Sequence, residues 1–202
     1  MERSEASLLY RCRRLEEAEL VLQDGNRHHG PDAGAVNILG LVYADSRNVK
    51  DALECHRKAA ELNPKNAIFV GNYGYVLADA GELQLGEAKM REALAMNPAL
   101  RYLYARLGDL YRMQGNEPKA KQEYQEAIRR ALRETPAGDM AALYWRELAG
   151  LYQRAGDYKN AQEARARAER LLKNERLGGD LELRIAGPDS GFLPLTETAK
   201  ES

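Results

Sequence analysis

The chain has 202 residues, enough for one compact domain or a short array of repeats. Its 30 basic and 31 acidic residues give a formal net charge of -1. This balance argues against nucleic acid as the main ligand, because neutralising phosphates requires a basic excess. No apolar run is long enough for a signal peptide or a membrane span, so no membrane insertion is expected. A cytoplasmic location is predicted, unless an export signal has been removed.

The first 32 residues predict one amphipathic helix followed by a break. The apolar residues between positions 4 and 24 fall on a single helical face: Leu8, Cys12, Leu15, Ala18 and Leu22. Gly30-Pro31-Asp32 ends the pattern. Residues 1–32 are therefore interpreted as an N-terminal capping helix or a degenerate repeat, and its exposed side is a candidate dimer contact.

From residue 33 onwards, small and aromatic residues recur at a spacing of 34. Gly40, Gly74 and Gly108 are separated by this step, and several other registers repeat it. These registers are Tyr43, Leu77 and Tyr111; Ala59, Ala93 and Ala127; Ala52, Gly86 and Ala120; and the proline pair Pro64 and Pro98. Agreement among so many registers indicates an internal repeat rather than a coincidence.

The pattern resembles the tetratricopeptide repeat, a helix–turn–helix unit of about 34 residues. The resemblance implies an all-α fold, a right-handed solenoid of antiparallel helix pairs. It places repeats at 33–66, 67–100, 101–138 and 139–175, the last one carrying Trp145, Leu148-Ala149 and Tyr152. Gly81, Gly115 and Gly156 are expected to turn the chain between paired helices, since glycine accepts a positive φ. Asn63-Pro64 and Asn97-Pro98 are expected to end second helices.

Two departures from the regular pattern have predicted consequences. The step from Gly108 to Ala149 is 41 residues, and seven extra residues correspond to about two helical turns. We therefore expect an elongated second helix in the third repeat, from near Pro118 through Leu132 to about residues 135–138. Arg47-Asn48 replaces the usual glycine, and Asn48 is expected to preserve the turn because asparagine tolerates the left-handed conformation.

Residues 176–202 are predicted to form a flexible tail. Gly178-Gly179 interrupts the helical pattern, and residues 181–185 alternate as a strand would. A second interpretation is that residues 181–185 or 192–195 occupy a groove on this chain, on another copy or on a partner.

No catalytic or cofactor motif accompanies the repeats. His28-His29 has no second pair of ligands to complete a metal site. Cys55 and His56 are adjacent on a predicted helix and point about 100° apart, so they do not form a dyad. His56 is expected to be partly buried at an aromatic position of the repeat. The chain is therefore predicted not to be an enzyme and to need no metal and no cofactor.

The resemblance also implies where a ligand binds, since the first helix of each repeat lines the concave groove. Eight candidates for a peptide-binding groove follow from the family pattern: Asn37, Asn72, Tyr75, Tyr102, Arg106, Asp109, Arg112 and Arg146. Amides can pair with a peptide backbone, and arginines can bind a carboxylate in bidentate fashion. The family's five-residue clamp for the acidic tails of heat-shock chaperones is matched only by Asn72 and Arg106, so a chaperone cofactor of that kind is not predicted.

The function predicted from the sequence is that of a scaffold or adaptor that binds a peptide segment of a partner protein in the concave groove. One alternative is self-assembly into a homo-oligomer through the N-terminal helix or the C-terminal tail. A helical-repeat RNA reader is the alternative from another class, and the net charge of -1 argues against it.

Overall fold

The computed structural model describes residues 2–133 and 140–176, and these residues form ten α-helices. The all-α prediction is confirmed within them. In chain order the helices are α1 (Glu2–Arg11), α2 (Leu15–His29), α3 (Ala33–Asp45), α4 (Val49–Leu62), α5 (Ala67–Asp79), α6 (Leu83–Met96), α7 (Arg101–Met113), α8 (Glu117–Ala131), α9 (Met140–Arg154) and α10 (Tyr158–Arg176). Each odd-numbered helix packs against the even-numbered helix that follows it, which produces five helix pairs. None of these helices is long and apolar enough to cross a membrane.

One turn geometry joins the two helices of every pair. The turn residue has a positive φ in all five cases: Arg13, Arg47, Gly81, Gly115 and Gly156. The amide of the next residue donates to a carbonyl five residues earlier, as Asn116 does to Tyr111. This bond satisfies a carbonyl that the helix end leaves without a partner. The glycine turns are therefore confirmed, and two arginines adopt the same conformation.

The structure corrects the prediction for the turn at Arg47-Asn48. Arg47 takes the left-handed conformation with φ 61°, whereas Asn48 has φ -87° and begins the next helix. The Asn48 side chain accepts a hydrogen bond from the Asp51 amide and so caps α4. Asparagine therefore contributes here as a helix cap, and the arginine bears the backbone strain.

The single helix predicted for residues 4–24 is wrong, because the chain turns at Arg13 and forms the pair α1–α2. Arg13 precedes Arg47 by 34 residues, so the repeat register extends to the N-terminus. Ala6 and Ala18 keep that register and are both fully buried. The amphipathic pattern ran through the turn because the buried faces of α1 and α2 have the same period.

Glycines allow the helices of a pair to approach closely. Gly74 on α5 faces Gly86 on α6, and each lies against backbone atoms of the other helix. A Cβ at Gly74 would lie 2.7 Å from the Met90 nitrogen and 2.9 Å from the Gly86 oxygen. Side chains from all pairs then fill the interior, including Leu22, Met90, Leu103, Tyr124 and Leu148, each at most 1% exposed.

The second helices end where the sequence predicts in two pairs and earlier than predicted in a third. α4 and α6 stop at Leu62 and Met96, directly before Asn63-Pro64 and Asn97-Pro98. The elongated helix predicted for the third repeat is wrong, since α8 ends at Ala131. Pro136 lacks an amide hydrogen and disfavours helical backbone at the residue before it. The expected end of that helix, at residues 135–138, lies outside the described residues, as do residues 177–202 of the predicted tail.

Candidate functional site: the first-helix face

The first helices α1, α3, α5, α7 and α9 share a surface on which polar side chains connect each helix to the next. We call this surface the first-helix face. Tyr10 on α1 donates to Asp45 on α3 (3.0 Å), and the Arg13 guanidinium pairs with the same carboxylate. Three further contacts link α3 to α5, α5 to α7, and α7 to α9. In a tetratricopeptide solenoid this face is the concave side, where the sequence placed its candidate residues.

Three of the predicted groove residues form a buried ladder. The Asn72 amide donates to the Asn37 side-chain oxygen (2.9 Å), and the Tyr102 hydroxyl donates to the Asn72 oxygen (3.1 Å). All three side chains are buried, with at most 7% of each residue exposed. Their polar atoms therefore hold three first helices together, which is a structural use of groups that the sequence analysis assigned to ligand binding.

Replacing Asn72 by alanine should lower the free energy of unfolding by about 2 kcal/mol, because the Asn37 oxygen and the Tyr102 hydroxyl would lose buried partners. Urea denaturation followed by circular dichroism measures the change. Tyr102→Phe is the matched control, since it removes only one of the two bonds, and it should cost about half as much. A loss below about 0.5 kcal/mol for Asn72→Ala would contradict the structural role of the ladder.

The remaining predicted residues cluster on α5 and α7 around one carboxylate. The Arg106 guanidinium lies 3.9 Å from the centre of the Tyr75 ring, in a stacked cation–π arrangement. Asp109 is approached by three guanidinium groups, those of Arg106 (3.9 Å), Arg112 (3.6 Å) and Arg154 (3.0 Å). One carboxylate cannot neutralise three cations, so this part of the face carries a positive excess. We call these five residues the arginine cluster.

Glu147 and Arg146 lie beside each other on α9, at the far side of the cluster, and both are half-buried. Burial raises the pKa of the Glu147 carboxyl to about 7, and the positive charge of Arg101 opposes this shift. At neutral pH the carboxyl is therefore only partly ionised. Its weakened negative charge adds to the positive excess around Asp109.

Glu147→Gln should stabilise the protein at alkaline pH and have little effect in acid. The carboxyl has a raised pKa in the folded state, so its favourable contribution is present below about pH 4.5 and is lost as the pH rises through 7. We expect a gain of about 1 to 2 kcal/mol at pH 8.5, reduced from the full shift because the group is partly solvated, and less than about 0.5 kcal/mol at pH 4.5. Urea unfolding at both pH values tests this, and an equal effect at the two would contradict the assignment.

Two participants in the face were missed by the sequence analysis. The pairing of Tyr10 and Arg13 with Asp45 was missed because the first 32 residues were interpreted as one helix. Tyr124, on the second helix α8, donates to Asp109 (2.7 Å) and is fully buried. The 34-residue spacing between Arg13 and Arg47 was the signal that could have revealed the first pair.

The thiol and imidazole groups are arranged for packing rather than for chemistry. His56 is completely buried, more than predicted, and neither ring nitrogen has a hydrogen-bond partner in the part of the chain described. Burial raises the pKa of the Cys55 thiol to about 11, which suppresses the reactive thiolate. His28 contacts Asp24 of its own helix. Among residues 2–133 and 140–176, no group of three potential ligands is positioned to hold a metal ion.

Comparison with known proteins identifies the repeat. A family model described as tetratricopeptide repeat matches residues 33–66 and 102–133. These segments contain the pair α3–α4 and most of the pair α7–α8. The comparison with curated proteins found no match.

Three solved structures illustrate the similarity of fold. A thermophilic tetratricopeptide repeat protein of Thermus thermophilus, TTC0263, superposes with a TM-score of 0.67 at 18% identity, covering 87% of this chain and 92% of that one. MamA from Desulfovibrio magneticus RS-1 has a TM-score of 0.55 at 22% identity, covering 86% and 94%. The APC/C hetero-tetramer Cut9-Hcn1 gives 0.65 at 16% identity, covering 86% of this chain and 33% of that one. With its repeated turns, its 34-residue register and these matches, the chain is a tetratricopeptide repeat protein, a helical scaffold of the protein-interaction type.

Proposed function

We propose that this protein is a non-catalytic adaptor that binds an acidic, extended segment of a partner protein along the first-helix face. The observation that supports this proposal best is the convergence of Arg106, Arg112 and Arg154 on the single carboxylate of Asp109. A carboxylate from a ligand would complete the neutralisation that Asp109 leaves unfinished. Guanidinium groups suit this task because they bind carboxylates through two parallel hydrogen bonds.

The exposure of the cluster favours one entry point for the ligand. The Arg112 side chain is 51% exposed, whereas the side chains of Arg106 and Arg154 are 19% and 27% exposed. A ligand carboxylate would therefore meet Arg112 first and then approach Arg106, which its stacking on Tyr75 holds in place. An immobilised guanidinium loses less side-chain entropy on binding than a mobile one.

The buried ladder changes which predicted residues we assign to the ligand. Asn37, Asn72 and Tyr102 stay in the proposal as supports that keep α3, α5 and α7 in register. Tyr75, Arg106, Asp109, Arg112 and Arg146 are proposed as the contact surface. This division predicts that variants of the first group act through stability, whereas variants of the second group act through binding alone.

Capture of partners from a cell lysate tests the proposal. The full chain is compared with Arg106→Ala/Arg112→Ala, and retained proteins are identified by mass spectrometry. The matched control is Lys58→Ala/Lys121→Ala, which removes the same charge from exposed positions on the second helices α4 and α8. A protein held by the parent and the control but lost by the arginine variant supports the proposal. Equal retention by all three would overturn the assigned site, and loss of capture after ribonuclease treatment would favour the RNA alternative.

A further inference from the structure

The two ends of the helical array carry complementary surfaces. Inside the array, each first helix presents two side chains to the preceding pair. In the second pair these are Leu39, which packs with Ala6 and Leu22, and Val42, which packs with Tyr10 and Ala18. The first pair has nothing before it in the chain, so the corresponding positions on α1 are open.

Subtracting the 34-residue step places Glu5 and Leu8 at these open positions. The equivalents of Leu8 in the other four pairs are each 1% exposed, whereas Leu8 itself is 59% exposed. Those equivalents are Val42, Val76, Leu110 and Leu151. Glu5 replaces apolar or aromatic residues and is also exposed. Because the two positions are three residues apart, they share one face of α1.

The opposite end presents the matching positions on α10. The residues that receive a following helix in the first pair are Leu15, Ala18 and Leu22, and steps of 34, 34, 34 and 41 carry them to Tyr158, Ala161 and Arg165. The equivalents of Arg165 in the other pairs are Leu22, His56, Met90 and Tyr124, all at most 1% exposed. Arg165 is exposed instead and contacts Gln153 across the same end, and Tyr158 is 67% exposed.

We propose that a second copy of this chain occupies each end, so that Glu5 and Leu8 of one copy stack on Arg165 and Tyr158 of another. The repeat register brings Glu5 opposite Arg165, at the place where Leu39 meets Leu22 inside the array. The charges of the ends agree with this arrangement. The pair α9–α10 has eight basic and five acidic residues, whereas the pair α1–α2 has five basic and six acidic residues. The contact is head-to-tail, and a contact of this kind builds open chains rather than closed dimers.

Sedimentation velocity of the full chain at several concentrations, in about 50 mM and about 500 mM salt, tests the proposal. The mean mass should rise continuously with concentration in low salt and fall in high salt, because salt screens exposed charges. Glu5→Arg and Arg165→Glu should each raise the dissociation constant about tenfold, since each places like charges in contact. Arg170→Glu is the control, because this exposed residue of α10 lies about 140° around the helix from Arg165.

The two charge reversals also test the polarity of the contact. A mixture of Glu5→Arg with Arg165→Glu should regain association, because each variant then meets the opposite charge on the other. A monomer at every concentration in low salt would overturn the proposal. So would association that both reversals leave unchanged, or association that is lost only when residues 177–202 are deleted, since the tail would then be the contact. Circular dichroism confirms that each variant is folded.

Discussion

Gly74→Ala should lower the free energy of unfolding by about 2 to 3 kcal/mol. The added Cβ would lie 2.7 Å from the Met90 nitrogen and 2.9 Å from the Gly86 oxygen, and both of these are backbone atoms of α6. Backbone atoms cannot move aside as a flexible side chain does, so α5 and α6 would have to separate. Urea denaturation followed by circular dichroism in the far ultraviolet measures the loss.

Gly150→Ala is the matched control for this prediction. Gly150 also lies in a first helix, α9, and a Cβ there would have no atom of another element within 4 Å. Alanine restricts the unfolded chain and favours helix, so this variant should be more stable by about 0.5 to 1 kcal/mol. Opposite signs for the two substitutions would show that the close crossing, rather than glycine content, matters. A neutral Gly74→Ala would contradict the crossing described here.

His56→Met should stabilise the protein and remove most of its sensitivity to mild acid. Both ring nitrogens of His56 are buried without hydrogen-bond partners among the described residues, and burial lowers the pKa of the imidazole to about 4. In the unfolded chain the pKa is near 6.5. Stability is therefore complete above about pH 6.5 and decreases as the pH falls towards 4, because only the unfolded chain takes up the proton.

The expected size of this effect is about 2 to 3 kcal/mol lost by the parent between about pH 7.5 and pH 4.5. The methionine variant should lose correspondingly less over the same range, and at about pH 7.5 it should exceed the parent by about 1 kcal/mol. Methionine is suitable because Met90 fills the equivalent place in the next pair, 34 residues along, and is fully buried. Parallel pH profiles for parent and variant would show that another group controls the acid sensitivity.

The repeat pattern predicted most of the fold because it reports backbone requirements directly. A glycine at a turn and an Asn-Pro at a helix end are local signals, and both identified real helix boundaries at Gly81, Gly115, Asn63 and Asn97. The first pair was missed because Arg13 occupies the turn position. An arginine with positive φ has no residue signature, so the turn was hidden although the register predicts it.

The candidate site could be predicted only in part from the sequence. The family register identified the correct helix face, but it could not show which side chains turn towards one another. Asn72 lies close enough to Asn37 and Tyr102 to be used within the protein, whereas Arg106 stacks on Tyr75 and stays partly accessible. The difference depends on distances between neighbouring pairs, and those distances arise from packing of the whole array.

The most direct test of the proposed binding surface is a peptide selection followed by titration. A displayed library of random peptides is selected on the full chain, and the enriched sequence is titrated by fluorescence anisotropy against the parent, Arg106→Ala/Arg112→Ala and Lys58→Ala/Lys121→Ala. We predict that selection enriches Asp and Glu, and that amide replacement of these residues weakens binding to the parent. Loss of affinity by at least about tenfold in the arginine variant alone would support the arginine cluster as the site. Enrichment of sequences without acidic residues, or equal affinity for all three proteins, would contradict it.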